Sequence, residues 1–208
     1  MSLIDLIKNT DGNNTLFSQI KEKFLTREGL ANTPPKQIPA MNLFLKGVTD
    51  SINNVNVTSV LWEPGEITVY PLSDVEDAIS FQFSGCIMAK FKCNNRYYVA
   101  HIHVADNKTD KREQWIDFLT QTKAISEIIM FKPSRGVYAY EIWGIITQDG
   151  LCYSVGFDCF GQKIVFNEHV SYGNSLRDYQ ELFSFKVDKN AEKWNDFWER
   201  PYARPCRI

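Results

Sequence analysis

Two of the chain's three histidines follow a cysteine at short range. Cys86 closes the tetrapeptide Phe83-Ser84-Gly85-Cys86, and His101 and His103 stand 15 and 17 residues further on, in Tyr-Tyr-Val-Ala-His-Ile-His. A thiol becomes a nucleophile when a neighbouring base takes its proton, and histidine is the side chain whose ordinary pKa suits that exchange near neutrality. The chemistry such a pair can do is acyl transfer: sulfur attacks a carbonyl carbon, a thioester forms, and water releases it. Gly85 removes a side chain beside the nucleophile and permits unusual backbone angles. A backbone N–H of the Ser84-Gly85-Cys86 turn, that of Cys86 first, is a candidate oxyanion donor. Ser80, six residues earlier, offers a hydroxyl or carbonyl to orient the imidazole as the third group. The competing reading is packing, because cysteine is among the most buried residue types.

The elements that would bring these groups together can be read from the pattern. Two apolar runs in residues 78–104 flank Asn94-Asn95, and asparagine tolerates the positive φ of a tight hairpin turn. With those two as turn residues, Cys93 pairs with Arg96, position 88 with 101, and position 86 with 103. His103 is then the direct cross-strand neighbour of Cys86 and His101 its diagonal neighbour. Alternation puts Tyr97, Val99, His101 and His103 on one face, so Tyr97 and His103 are candidates to line a cleft. The count alone favours His103 as the base.

Around this hairpin, Leu16, Phe17, Ile20 and Phe24 recur at helical spacing and predict a helix over 14–27. Residues 31–40, with three prolines, read as a loop. Strand signals follow at 41–47, 57–62 and 66–72, then at 127–131, 137–147, 151–157 and 162–166. A helix is predicted over 111–123, with Trp115, Phe118 and Leu119 on one face, and another over 191–199. Helices at both ends of a strand-rich middle predict an α+β layered sandwich around an antiparallel or mixed sheet. One domain is expected over 1–208, its first 40 residues a helical segment and loop.

Composition narrows the function. The chain has 208 residues, 44% of them hydrophobic, and a net charge of −2. A nucleic-acid binder usually carries a basic surface, so no nucleic acid is expected. No apolar run reaches a membrane-spanning length, and the first residues lack the basic and apolar regions of a secretory signal. Five scattered cysteines do not look like a disulfide framework. A zinc site of Cys93, Cys152, Cys159 and His169 is disfavoured by the spacing of 152 and 159, wider than usual ligand pairs. No metal and no cofactor are expected.

The segments FSGC (83–86) and YYVAHIH (97–103) resemble the cysteine–histidine glutamine deamidase toxins, the family of the Burkholderia lethal factor and the cytotoxic necrotizing factor catalytic domain. In that family an SGC-type turn presents the nucleophile and a hydrophobic strand then delivers the histidine. The order of MNLFL (41–45), VLWEPGE (60–66) and REQWIDFL (112–119) is similar as well, so the likeness spans residues 41–120. The resemblance implies Cys86 as nucleophile and His101, against the hairpin count, as base. Ser80 falls where relatives carry a threonine. It also implies hydrolysis of a glutamine side-chain amide on a host protein. A monomer is expected, made in a bacterial cytoplasm without a Sec signal and delivered to host cytosol. Two other readings remain at this point: a Cys–His peptidase or isopeptidase, and a non-catalytic partner-binding protein.

Overall fold

The computed structural model describes residues 1–10, 14–27, 29–30, 32–105, 109–133, 141–157 and 163–168. The predicted helix over 191–199, Cys159 and His169 lie outside these residues.

The first element is a short helix that the sequence reading passed over, α1 (Leu3–Asn9). Its signal is local. The Ser2 hydroxyl accepts the Asp5 N–H, and the Asp5 carboxylate accepts the Ser2 N–H, closing a capping box. The N–H of Leu3 is donated to the buried carboxylate of Asp77, which also accepts the N–H of Gln148. α2 (Asn14–Phe24) follows. Leu16, Phe17, Ile20 and Phe24 are all buried, as their spacing predicts.

The strands run β1 (Lys36–Ile38), β2 (Leu43–Leu45), β3 (Gly47–Ile52), β4 (Val55–Val60), β5 (Ile67–Leu72), β6 (Asp77–Phe81), β7 (Ile87–Cys93) and β8 (Arg96–Ile102). After α3 (Arg112–Gln121) come β9 (Ile125–Phe131), β10 (Glu141–Ile146), β11 (Cys152–Phe157) and β12 (Lys163–Glu168). They form two sheets. Sheet I has the order β1-β2-β5-β8-β7-β9, and sheet II the order β12-β11-β10-β6-β4-β3. Each is mixed, with one parallel pair, β2–β5 in sheet I and β4–β6 in sheet II.

The architecture is therefore an α+β sandwich of two mixed sheets with helices outside. Leu16, Phe17, Ile20 and Phe24 of α2, with Leu3, Ile4 and Ile7 of α1, pack on the outer face of sheet II against Ile79, Phe81, Trp143 and Val155. Trp115 and Phe118 of α3 pack on the outer face of sheet I with Ala89, Phe91, Ala100 and Ile102. Between the sheets lies a third core, with Cys86, Met88, Val99 and Phe131 facing Val60, Ala78, Ile142 and Ile146.

Two expectations change. Residues 41–47 do not form one strand: the chain leaves sheet I at Leu45 and enters sheet II at Gly47. And part of the predicted loop, 36–38, pairs with β2. Both depend on which backbone lies alongside, which local pattern does not encode.

The central hairpin has the anticipated register. Asn94 and Asn95 take φ of 49° and 61°, the pairing starts at Cys93↔Arg96, and it runs through Met88↔His101 to Ile87↔Ile102. β8 is interior to sheet I, between β7 and β5, so His101 is flanked by Met88 and Thr68. On sheet II, Ser80 of β6 sits beside Gly144 of β10.

Gly144 faces the gap between the sheets. A Cβ there would stand 2.8 Å from Pro133 Cγ and 2.9 Å from both Met88 Sδ and Phe83 Cε2. Gly144→Ala is expected to destabilise the fold by about 1–3 kcal/mol through overpacking, read as a lowered urea midpoint at unchanged m-value. A midpoint at or above that of the wild type would show that the two sheets are not closed on each other here.

Candidate active site

His101 is brought to the gap by strand alternation. Tyr98, Ala100 and Ile102 point toward α3, while Val99 points toward sheet II, and His101 shares the parity of Val99. The imidazole is 0% exposed. A hydrogen bond crosses the gap to reach it, with Ser80 Oγ 2.8 Å from His101 Nδ1. Ser80 Oγ is also 2.7 Å from the Val60 carbonyl oxygen, to which it donates. A carbonyl can only accept, so the single hydroxyl proton goes to Val60 and the hydroxyl oxygen accepts from Nδ1–H. The network thus assigns the tautomer that leaves Nε2 with a free lone pair. Nε2 is the one buried side-chain nitrogen or oxygen without a hydrogen-bond partner among the described residues.

Cys86 lies one residue before β7 and is 4% exposed. It belongs to the same inter-sheet core as Met88 and Val99. Extending the register by one residue past Ile87↔Ile102 makes it the diagonal neighbour of His101. The two groups share a face, but Nε2 and the thiol are not hydrogen-bonded. Both are covered, so they do not stand on an open cleft. Burial pushes the Cys86 thiol above its ordinary pKa, opposed by the backbone N–H of Val104 and more weakly by Lys132. Burial pushes His101 down to about 3, with the neighbouring His103 adding to the effect. At rest the pair is therefore neutral, thiol and imidazole.

The turn between β6 and β7 shapes the approach. Gln82 takes φ of 62° and Gly85 φ of 155°, values that side chains rarely adopt. Ser84 is exposed, and Gly85 is half-buried. Phe83 points inward, its ring stacked on the imidazole of His101 with centroids 4.3 Å apart and planes 6° from parallel.

The other candidates fall elsewhere. His103 lies just past the end of β8 and is half-buried. Its Nδ1 accepts from the indole N–H of Trp62 at 3.1 Å, and its Nε2 is 3.3 Å from Thr109 Oγ1. Both ring nitrogens are engaged away from sulfur. Tyr97 is a correction to the cleft-lining expectation. It shares a face with His101, but four residues along a strand is roughly 13 Å. Its hydroxyl donates to Glu127, 2.7 Å away. Sequence reasoning counted the face and overlooked the distance along it. It also missed Phe83, Val60 and Trp62, although Phe83 and the last two stood in the quoted segments FSGC and VLWEPGE.

Beside the turn, a cavity of about 270 Å³ is walled by Leu25, Leu61 and Phe81 and rimmed by Trp62 and Gln82. Cys93 and Cys152 are buried in different cores, one under α3 and one between the sheets. The described residues contain no group of three His, Cys, Asp or Glu side chains placed to hold a metal. Among them, too, no helix is long and apolar enough to cross a membrane.

No family model, curated protein or solved structure matches the chain.

Two outcomes test this geometry. Ser80→Ala strands both Nδ1–H and the Val60 carbonyl and is expected to cost about 1–3 kcal/mol, measurable by urea unfolding. The second concerns acid. An unfolded histidine binds its proton near 6.5, whereas folded His101 binds one only near 3. Between those values the unfolded chain holds more protons, so stability falls as the pH drops through that window. His101→Gln, which cannot titrate, is expected to flatten the fall, and equal slopes for both chains would contradict the dry burial of the ring.

Proposed function

We propose that the protein is a glutamine deamidase that converts a glutamine of a host protein to glutamate through a Cys86 thioester. The observation that carries this reading is the state of His101. Its Nδ1 is anchored by Ser80, its remaining lone pair has no partner, and it lies diagonally beside a buried thiol. An unpartnered buried nitrogen costs stability, and a base waiting for a proton is a physical reason to keep one. The resemblance of FSGC and YYVAHIH to the deamidase toxins supports the same residues in the same roles.

In the mechanism, His101 Nε2 takes the thiol proton as sulfur attacks the carboxamide carbon. Backbone N–H groups of the Ser84-Gly85-Cys86 turn face the developing oxyanion. The tetrahedral intermediate collapses, His101 returns the proton to nitrogen, and ammonia leaves. Water, deprotonated by His101, then cleaves the thioester and regenerates the thiol. The missing thiol–imidazole hydrogen bond is common in resting enzymes, where catalytic contacts tighten in the substrate complex. Ser80 orients the imidazole and does not touch the substrate. No cofactor takes part. The enzyme acts as a monomer on a folded host protein, after synthesis in a bacterial cytoplasm and secretion or injection into the host.

A second reading, hydrolysis of a peptide or isopeptide bond, would use the same pair but release a new amine in place of ammonia. Intact-mass measurement of host-cell proteins separates the two. A gain of about 1 Da on one protein, from replacing NH₂ by OH at the attacked carbon, is the expected result. It should be absent with Cys86→Ser, whose hydroxyl can still accept the Val104 N–H and preserve the fold. Ammonia release should drop about 10²–10⁴-fold in His101→Ala and less in His103→Ala, whose ring nitrogens are held by Trp62 and Thr109. A larger loss in His103→Ala would transfer the base role to it, and a folded Cys86→Ser that still produces the mass gain would end the proposal.

A further inference from the structure

Phe83 is three residues from the candidate nucleophile and 1% exposed. Its ring lies flat on the candidate base, 4.3 Å between centroids and 6° from parallel. The chain bends to put it there. Gln82 and Gly85, with φ of 62° and 155°, bracket Phe83 and Ser84, and a non-glycine residue such as Gln82 keeps that backbone only where its surroundings enforce it. The N–H of Phe83 donates to the Ile142 carbonyl at 3.2 Å, fastening the turn to β10. Gly144 on the same strand leaves out the side chain that would collide with the ring, since a Cβ there would be 2.9 Å from Phe83 Cε2. An aromatic held by uncommon backbone, in space cleared by a glycine, is more specific than a core filler requires.

The geometry points to Phe83 as a positioning residue for His101, one that presents its π face to the imidazolium formed when the thiol proton is transferred. This rests on the Cys–His reading above. Ser80 fixes one edge of the imidazole through Nδ1, and Phe83 fixes its plane. Together they leave Nε2 a single direction. The face of an aromatic ring carries negative potential and attracts a cation held over it. Burial keeps His101 neutral at rest, so the imidazolium exists only while the thiolate does. In the buried gap, the Phe83 face and the Ser80 oxygen both touch the ring, and the polarity of each suits that cation. The role differs from Ser80's, because Phe83 is on the nucleophile's own turn and any movement of that turn moves the plate off the base.

The test is the pH dependence of Cys86 alkylation by iodoacetamide in the full-length chain, followed by peptide mapping so that the other cysteines are counted separately. Pentafluorophenylalanine at position 83 keeps the ring's shape and reverses the polarity of its face. It is expected to lower the alkylation rate about tenfold across the neutral range, the loss for destabilising the thiolate–imidazolium form by the equivalent of one pH unit, while the alkaline rise, which forms thiolate beside a neutral imidazole, stays where it is. If that chain does not fold, Phe83→Leu gives the same comparison, with the same direction expected. A wild-type profile in the folded variant, alongside slowed alkylation in His101→Gln, would overturn the role of Phe83 and leave the Cys–His reading standing. A wild-type profile in His101→Gln would overturn both.

Discussion

The sandwich closes over a polar group, and the hydrogen bond between Ser80 and His101 is what lets it do so. An imidazole with no exposure loses water at both nitrogens, and an unpaired buried polar atom is costly. Sheet II supplies the partner for Nδ1 from the opposite side of the gap, and the Val60 carbonyl completes the chain by accepting from the Ser80 hydroxyl. The far end of the gap repeats the device with different groups: the buried Lys90 of sheet I donates to the Gln148 carbonyl just past β10, 3.0 Å away. The two sheets are thus registered by polar contacts at both ends and by apolar packing between them. Apolar contacts alone tolerate sliding, whereas hydrogen bonds at about 2.8–3.0 Å do not.

That closure fixes the electrostatic character of the site. In the buried gap the Cys86 thiol and the His101 imidazole favour their uncharged forms, the thiol pushed up and the imidazole pushed down. A thiolate–imidazolium pair formed there has few solvent dipoles to stabilise it, so its stability depends on fixed groups: the Val104 N–H at sulfur, the Ser80 oxygen at Nδ1 and the Phe83 face over the ring. Such preorganised dipoles need no rearrangement when charge appears. The same burial keeps the thiol protonated, a form less open to oxidation than an exposed low-pKa cysteine.

Much of this was legible in the sequence, for identifiable reasons. Asn94-Asn95 announces a two-residue turn, and a two-residue turn fixes register, so the partners of residues 87–93 followed by counting. The helical stripe of α2 and the Trp115 face of α3 followed from periodicity. The division into two sheets did not, because it depends on the chain crossing at Lys46 and on two parallel pairings, neither of which leaves a local mark. Ser80 was named as an orienting group, but its place on the sheet opposite His101 is a tertiary fact. Tyr97 shows the limit of face-counting, since period 2 says which side a residue takes and nothing about how far along the strand it lies from His101. Phe83 left only its aromatic character as a signal, and that is shared by every core position.

Position within a strand decides the surroundings of the two histidines more than sequence distance does. His103 is nearer to Cys86 by register, yet it lies past the last ladder residue, close to the Thr109 hydroxyl. There its ring meets Trp62 from the loop after β4 and is held at both nitrogens. His101, one pleat earlier, sits in a three-stranded environment with Met88 and Thr68 on either side. The Thr68 hydroxyl is committed to the Leu61 carbonyl, so nothing from the neighbouring strand competes for Nε2. The routes of access follow from the same arrangement. Cys86 is covered from inside the sandwich, while Gln82, Ser84 and Trp62 are exposed, and Gln82 and Trp62 border the cavity beside the turn. In the proposed reaction, the substrate glutamine reaches the turn from that side. Gly85 has nothing within 4 Å of where a Cβ would be, so its lack of a side chain is not needed for packing. What calls for glycine there is the φ of 155°, which side chains rarely adopt.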